Sequence, residues 1–250
     1  MGKSRIILIF CVFTLCFSTS SCKKNTIRSL KVLTYNIYNG RGVDGATDYQ
    51  RIADVINACN PDVAAIQELD SMTERSNLFV LAEIAKQVNM YYTYSASLER
   101  QGGTFGNGVL SKEKPLSSSA IPLPGRDEAR SLLIVEFDDY VFCCTHLSQN
   151  AADRLTSIAL INERMEGIQK PIILGGDFNA IPSSPPMLEL TKSWTILNDT
   201  TGYTLPPVNP NRCIDFILIH STHSANVISS QVIDTQAAAW HLPVLVEIEF

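Results

Sequence analysis

Apolar residues recur along this chain in two periods, and the switching between them lays out the elements. Short β-branched or apolar runs predict strands at Leu30–Asn36, Asp62–Glu68, Tyr91–Ala96, Gly106–Ser111, Ser131–Phe137, Val141–His146, Pro171–Gly175, Ile214–Ile219, Ser230–Thr235 and Val244–Phe250. Between some of them the spacing becomes helical. Ile52, Val55, Ile56 and Cys59 share one face, as do Leu78, Leu81, Ala85 and Val88, and again Leu155, Ile158, Ile161, Met165 and Ile168. Pro61 and Pro171 are placed to stop the first and third of these helices. Strands in this number, with three or four helices, bury every apolar face if two sheets pack together with helices outside them. No repeat shows at a solenoid or propeller period.

The start of the chain follows another rule. Lys3 and Arg5 precede the apolar stretch Ile6 to Phe17, and small residues Ser18 to Ser21 follow it. The stretch is too short for an ordinary spanning helix of ~20 residues, so 1–21 reads as an export signal. Cys22 then stands where bacterial lipoproteins carry their lipid. The expected layout is a signal at 1–21, a lipid-tethered linker at 22–28 and one domain at 29–250. The protein would then be exported and anchored to a membrane, in the periplasm or at the cell surface. The alternative is cleavage near Cys22 without acylation.

Composition agrees with a folded domain. Hydrophobic residues make up 45% of the 250 and charged residues 18%. The signal holds two basic and no acidic residues, so its loss takes the formal net charge from −5 to −7. An acidic protein lacks the basic footprint that clings to long nucleic acid, although carboxylates also hold metals, so phosphodiester chemistry stays open. Beyond the signal and Cys22, the remaining cysteines, Cys59, Cys143, Cys144 and Cys213, show no disulfide or zinc spacing. The adjacent pair 143–144 should point to opposite faces of its strand. His220 and His223 lack a nearby third zinc ligand.

Several strands end in polar residues that their own apolar pattern does not explain. Val32 to Tyr35 runs into Asn36, Val63 to Gln67 into Glu68, Val141 to Thr145 into His146, and Ile172 to Gly176 into Asp177, Phe178 and Asn179; Ile214 leads to Asp215. Such residues at one rim of a rigid sheet make a site for a hard cation and a phosphate, because Mg²⁺ prefers oxygen ligands with water and substrate completing its shell.

In this order the segments resemble the endonuclease/exonuclease/phosphatase family. The resemblance rests on Thr34-Tyr35-Asn36-Ile37, Gln67-Glu68, Thr145-His146-Leu147, Gly176-Asp177-Phe178-Asn179-Ala180, Ile214-Asp215-Phe216-Ile217 and His241-Leu242-Pro243-Val244. Gly106 to Ser111 and Glu128-Ala129-Arg130 look like intervening family elements. It implies an α/β fold, a four-layer sandwich of two mixed β-sheets flanked by helices. The implied activity is that of a Mg²⁺- or Mn²⁺-dependent phosphoester hydrolase acting by in-line attack of water. Its substrate would be a phosphodiester or phosphomonoester: nucleic acid, an inositol phosphate or lipid headgroup, or a small phosphoester. A monomer is expected.

Carried over by position, Glu68 would hold the metal, with Asn36 positioning either Glu68 or the metal's water. Asp177 and Asn179 would orient and activate the attacking water. Asp215 would hold the His241 ring, and His146 would contact the phosphoryl group, while Asn107 and Arg130 are candidates for phosphate or substrate contacts. The resemblance leaves open which of His241, His146 and Asp177 is general base and which general acid. In one place the chain departs from many relatives: Trp240 stands where an aspartate precedes the closing histidine. An indole cannot ligate Mg²⁺, and this motivates the alternative of a binding module that holds a ligand or partner without turnover.

Overall fold

Strand runs that are apolar on both faces have to be covered on both, and this requirement stacks the chain in layers. The structure, a computed structural model, describes residues 2, 28–235 and 238–250. The expected export signal, apart from Gly2, and Cys22 lie outside them. The elements are β1 Ser29–Asn36, α1 Tyr49–Cys59, β2 Val63–Thr73, β3 Ser76–Phe79, α2 Val80–Val88, β4 Tyr91–Arg100, β5 Gly103–Ser111, β6 Ser117–Leu123, β7 Arg130–Glu136, β8 Val141–His146, α3 Ala151–Met165, β9 Ile172–Asp177, α4 Pro185–Leu190, β10 Trp194–Ile196, β11 Asp215–His220, β12 Asn226–Val232 and β13 Val244–Glu249.

They form two sheets, one seven-stranded in the order β12-β13-β1-β2-β5-β4 with β3 on β2, the other six-stranded in the order β10-β11-β9-β8-β7-β6. Both are mixed: β1 runs parallel to β2 and β8 parallel to β9, and the other pairs are antiparallel. Val32, Val63, Ala65 and Val109 of the first sheet pack on Phe142, Cys144, Ile173 and Ile217 of the second. The first sheet's outer face carries Leu33 and Ile66 against Ile52 and Ile56 of α1 and Leu81 and Ile84 of α2. The second sheet's outer face carries Cys143 and Leu174 against Ile158 and Ile161 of α3 and Met187 of α4. This is the four-layer sandwich expected. Cys143 and Cys144 sit on opposite faces, as strand parity requires, and all four cysteines of the domain are free and buried.

Five readings of the pattern need correction. β3, β6 and β10 were not expected, and Leu78 belongs to β3 rather than to α2, where it is 43% exposed. β12 lies at Asn226–Val232, earlier than Ser230–Thr235. Pro171 does not end α3, which stops at Met165, with Gly167 at φ +77 just beyond it, so Ile168 falls outside the helix. Leu155, although on α3, is exposed.

The layering also places the polar strand ends. In the parallel pair β8–β9 His146 lies opposite Asp177, and in the antiparallel pair β11–β9 Asp215 lies opposite Asp177. The ends of β1 and β2 meet the same rim from the other sheet, Asn36 opposite Gln67.

Candidate active site

Glu68 owes its direction to a defect in β2. Ile66 pairs with Gly108 of β5 and Leu69 with Gly106, so Gln67 and Glu68 together face the single residue Asn107. The bulge bends the strand, and Glu68 takes a left-handed backbone at φ +61, a region that a residue with a long side chain rarely adopts. Gln67 is fully buried beside it, its amide near Thr34 Oγ1 at 3.3 Å and Cys144 Sγ at 3.5 Å. Strain of this kind persists where surrounding contacts hold it, and here they hold a carboxylate at the mouth.

Asn36 ties the two sheets together. Its Nδ2 donates to Glu68 Oε1 and to Asp177 Oδ2, both at 3.0 Å, and its Oδ1 accepts from the Tyr38 N–H at 3.0 Å. Through these bonds Asn36 positions Glu68, one of the two roles expected of it. Asp177 is the hub. Its Oδ1 accepts from the Asn179 N–H at 2.8 Å, and its Oδ2 lies 3.4 Å from His146 Nε2 and 3.8 Å from His241 Nε2. Asn179, at φ +48, turns its Nδ2 to Leu147 O at 2.9 Å and to within 3.0 Å of His146 Nε2. Gly176 permits this close approach, since a Cβ there would stand 2.2 Å from Thr145 O on β8.

His241 arrives from the loop before β13, and its Nδ1 lies 3.0 and 3.2 Å from the two oxygens of Asp215. Burial alone would lower its pKa, but the Asp215 carboxylate, through charge and hydrogen bond, together with Asp177 and Glu68, raises it to about 9. His146 goes the other way. Burial depresses it to about 3 against the pull of Asp177, with Arg130 and His241 adding to the depression, so it is neutral in water near pH 7. Burial raises the Glu68 carboxyl above its ordinary range, Asp177 adds to that, and the Asn36 hydrogen bond opposes it.

Because His241 is raised in the fold, it contributes stability that is complete below an unfolded pKa near ~6.5 and is lost as pH rises through about 9. In EDTA, the wild-type unfolding free energy should therefore fall by of order 3 kcal/mol more than that of His241→Gln across this window. Denaturant titrations at pH 6 and pH 9.5 read the difference, and parallel curves would contradict it.

The cleft above these groups has two adjoining hollows that share Tyr38, Glu68, His146 and Gln149. One, of about 360 Å³, is lined by Arg75, Arg100, Arg130, Phe105, Asp127 and Glu128. The other, of about 490 Å³, is lined by Asp177, Asn179 and His241 and walled by Trp240, Ile181, Leu205 and Ile214. Of the residues expected, Asn36, Glu68, Asp177, Asn179, Asp215, His241, His146 and Arg130 thus meet at one place. Asn107, opposite the bulge, is buried, with its Nδ2 donating to Ser131 O at 3.3 Å. Arg75 and Arg100 line the cleft as well, although no local sequence pattern distinguishes them from surface arginines. Both sit near chain reversals, Arg75 between β2 and β3 and Arg100 at the end of β4, and are aimed by Asp70 (2.7 Å) and Glu128. Arg154 is buried, its Nη1 donating to Ser148 O at 2.9 Å.

A hard cation fits the donors present. Glu68 and Asp177 face each other across one shared amide, and the second Glu68 oxygen takes no hydrogen bond among the described residues. Asp177, Asp215 and His241 also offer atoms within 4.8 Å of one another. The Asp215–His241 contact is already a charged hydrogen bond, so Glu68 is the better seat.

A family model described as the Endonuclease/Exonuclease/phosphatase family matches residues 33–237. A comparison with curated proteins returned no match. Among solved structures the fold is similar to an endonuclease/exonuclease/phosphatase from Beutenbergia cavernae DSM 12333, with TM-score 0.75 and 22% identity over 89% of this chain and 72% of that one. It is similar also to a mannosyl-6-phosphatase from Bacteroides thetaiotaomicron VPI-5482, with TM-score 0.71 and 18% identity over 88% and 100%. The human Nocturnin catalytic domain, solved with a bound sulfate anion, aligns with TM-score 0.68 and 18% identity over 88% and 94%. At these identities the likeness speaks for the fold.

Proposed function

The chain belongs to the endonuclease/exonuclease/phosphatase family, and from that premise we propose that it hydrolyses a phosphoester with a divalent cation, Mg²⁺ or Mn²⁺, held at Glu68. The observation that supports this most is the meeting of Glu68, Asp177, Asn179, His146 and the Asp215–His241 pair on one cleft. Bound there, the cation would neutralise charge gathering on the phosphoryl and departing oxygens.

The protein's own groups supply the rest. Asp177, steadied by Asn36 and the Asn179 N–H, accepts a proton from a water that the Asn179 side chain helps to orient. His241 is protonated near neutral pH and pinned through Nδ1 by Asp215, so its Nε2–H is free to donate to a phosphoryl oxygen. It is then a donor and not the base. Neutral His146 and Arg130, which lie 3.4 Å apart, offer further contacts to the phosphoryl group.

The first hollow suits a small, uncharged, polyhydroxylated alcohol as the departing group. Its arginines are matched by carboxylates: Arg75 by Asp70, and Arg100 and Arg130 by Glu128, the last at 2.6 Å. Such pairs present donors and acceptors to hydroxyls without the excess positive charge that a polyanion would call for. The neighbour named as a mannosyl-6-phosphatase agrees with this choice. Export and a lipid on Cys22 would put the enzyme at a membrane outside the cytoplasm, working as a monomer.

Purified mature protein should release p-nitrophenolate from bis(p-nitrophenyl) phosphate or p-nitrophenyl phosphate with Mg²⁺ or Mn²⁺, stop in EDTA and recover on adding metal. Hexose phosphates and inositol phosphates assayed beside plasmid DNA, RNA and sphingomyelin should be preferred. No metal-dependent turnover of any of these would overturn the proposal and favour a module that binds without reaction.

A further inference from the structure

The second hollow has an apolar side that the groups around the reacting phosphate do not require. Trp240 is 40% exposed at its edge, directly before His241 in the chain, and its ring stands 5.7 Å from that of Tyr38 at a tilt of 53°. Ile181, Leu205 and Ile214 continue the wall. Tyr38 is not there by slack in a loop. It and Asn39 both hold left-handed backbones, at φ +46 and +59. The turn is fastened at both residues: the Tyr38 N–H donates to Asn36 Oδ1, and the Asn39 side chain accepts from Arg75. A strained turn fixed to the same asparagine that brackets Glu68 and Asp177 holds one aromatic ring against another beside the reacting groups.

We propose that Trp240 and Tyr38 form a seat for a flat, uncharged ring carried on the second ester oxygen of a phosphodiester, a substituent that stays on phosphorus during the reaction. The inference rests on the hydrolase reading above. There the water stands at Asp177 and Asn179, and in-line displacement sends the departing oxygen to the opposite side, toward Glu68 and the arginine-lined hollow. The substituent beside Trp240 is therefore the one retained. In the step, water oxygen forms a bond to phosphorus and the other P–O ester bond breaks. The water's proton passes to Asp177, the departing alkoxide or phenolate leaves with the electron pair, and the product is a monoester that still carries the ring. Trp240 thus acts as a specificity residue that admits diesters of this kind beside the monoesters that the first hollow takes.

The test holds the leaving group constant and varies only what stays. Phenyl p-nitrophenyl phosphate, methyl p-nitrophenyl phosphate and p-nitrophenyl phosphate all release p-nitrophenolate. Trp240→Ala should raise KM for the phenyl diester roughly tenfold while kcat changes little, as expected for losing an aromatic contact made equally in ground and transition states. The methyl diester and the monoester should change by less than about a third of that factor. Trp240→Phe should restore most of the loss, which a purely structural role for the indole would not predict. A parallel loss on all three substrates, or no loss on the phenyl diester, overturns the proposal. Should wild type turn over none of the three, the hydrolase reading falls and calorimetry still decides the seat. Wild-type protein should bind diphenylphosphinate more tightly than dimethylphosphinate, and Trp240→Ala should erase the difference; equal affinities in wild type would overturn it.

Discussion

Replacing Asp177 by alanine should lower kcat/KM on bis(p-nitrophenyl) phosphate by about a thousandfold or more, with the loss chiefly in kcat. Four groups depend on this carboxylate. Asn36 donates to it at 3.0 Å and the Asn179 N–H at 2.8 Å, and the ring nitrogens of His146 and His241 lie 3.4 and 3.8 Å away. Removing it deletes the proposed proton acceptor, frees the Asn179 turn and leaves Asn36 with one carboxylate where it now bridges two. Asp177→Asn separates these effects. The amide keeps the shape and still accepts from the Asn179 N–H, but it cannot take a proton from water. If charge and basicity are what Asp177 supplies, Asn should be nearly as damaging as Ala. A variant with Asn that retains more than about a tenth of wild-type kcat would show that Asp177 serves only to hold its neighbours.

That hub could be read from the sequence only in part. β8 and β9 announced themselves as apolar runs that stop at His146 and Asp177, because a buried strand has no local reason to end in a charge, and the run of Gly, Asp, Phe and Asn at 176–179 sharpened the signal. The pairing of Asp215 with His241 was expected only through the family resemblance, since 26 residues separate them and only the fold closes the gap. The strain at Glu68 left no trace. No glycine or asparagine marks the left-handed position, and the bulge arises because β5 offers one residue, Asn107, opposite two. β6 escaped for a simpler reason. Its serines Ser117 to Ser119 and Pro122 lie at a solvated edge, where no apolar alternation is needed. Arg130 apart, the arginine-lined hollow was invisible because nothing local distinguishes Arg75 or Arg100 from a surface residue: Arg75 is aimed by Asp70 across a chain reversal, and Arg100 by Glu128, 28 residues away.

Glu68→Gln should abolish tight binding of the activating cation, raising its apparent dissociation constant by about a hundredfold, and should at the same time make the metal-free protein more stable. The second half follows from sign. Burial, with the Asp177 charge beside it, raises the Glu68 pKa in the fold, so this group favours folding when protonated and opposes it as pH rises past its ordinary value. Near neutral pH, above the ordinary carboxylate range, this group therefore costs the metal-free wild type stability. Glutamine keeps the volume, still accepts from Asn36 Nδ2 through its carbonyl oxygen and carries no charge. In EDTA the variant should melt a few degrees higher than wild type at pH 7.5, since ~1 kcal/mol shifts a domain of this size by about 2–4 °C, and the gap should close as pH is lowered. Mn²⁺ or Mg²⁺ should then raise the wild-type Tm by matching the carboxylate with a cation, and should leave the variant where it is. The two melting series isolate the donor set from catalysis, because neither depends on turnover. If the variant melts below wild type in EDTA, or if added metal stabilises both proteins equally, Glu68 is not the cation's seat, and the cluster of Asp177, Asp215 and His241 becomes the donor set to test.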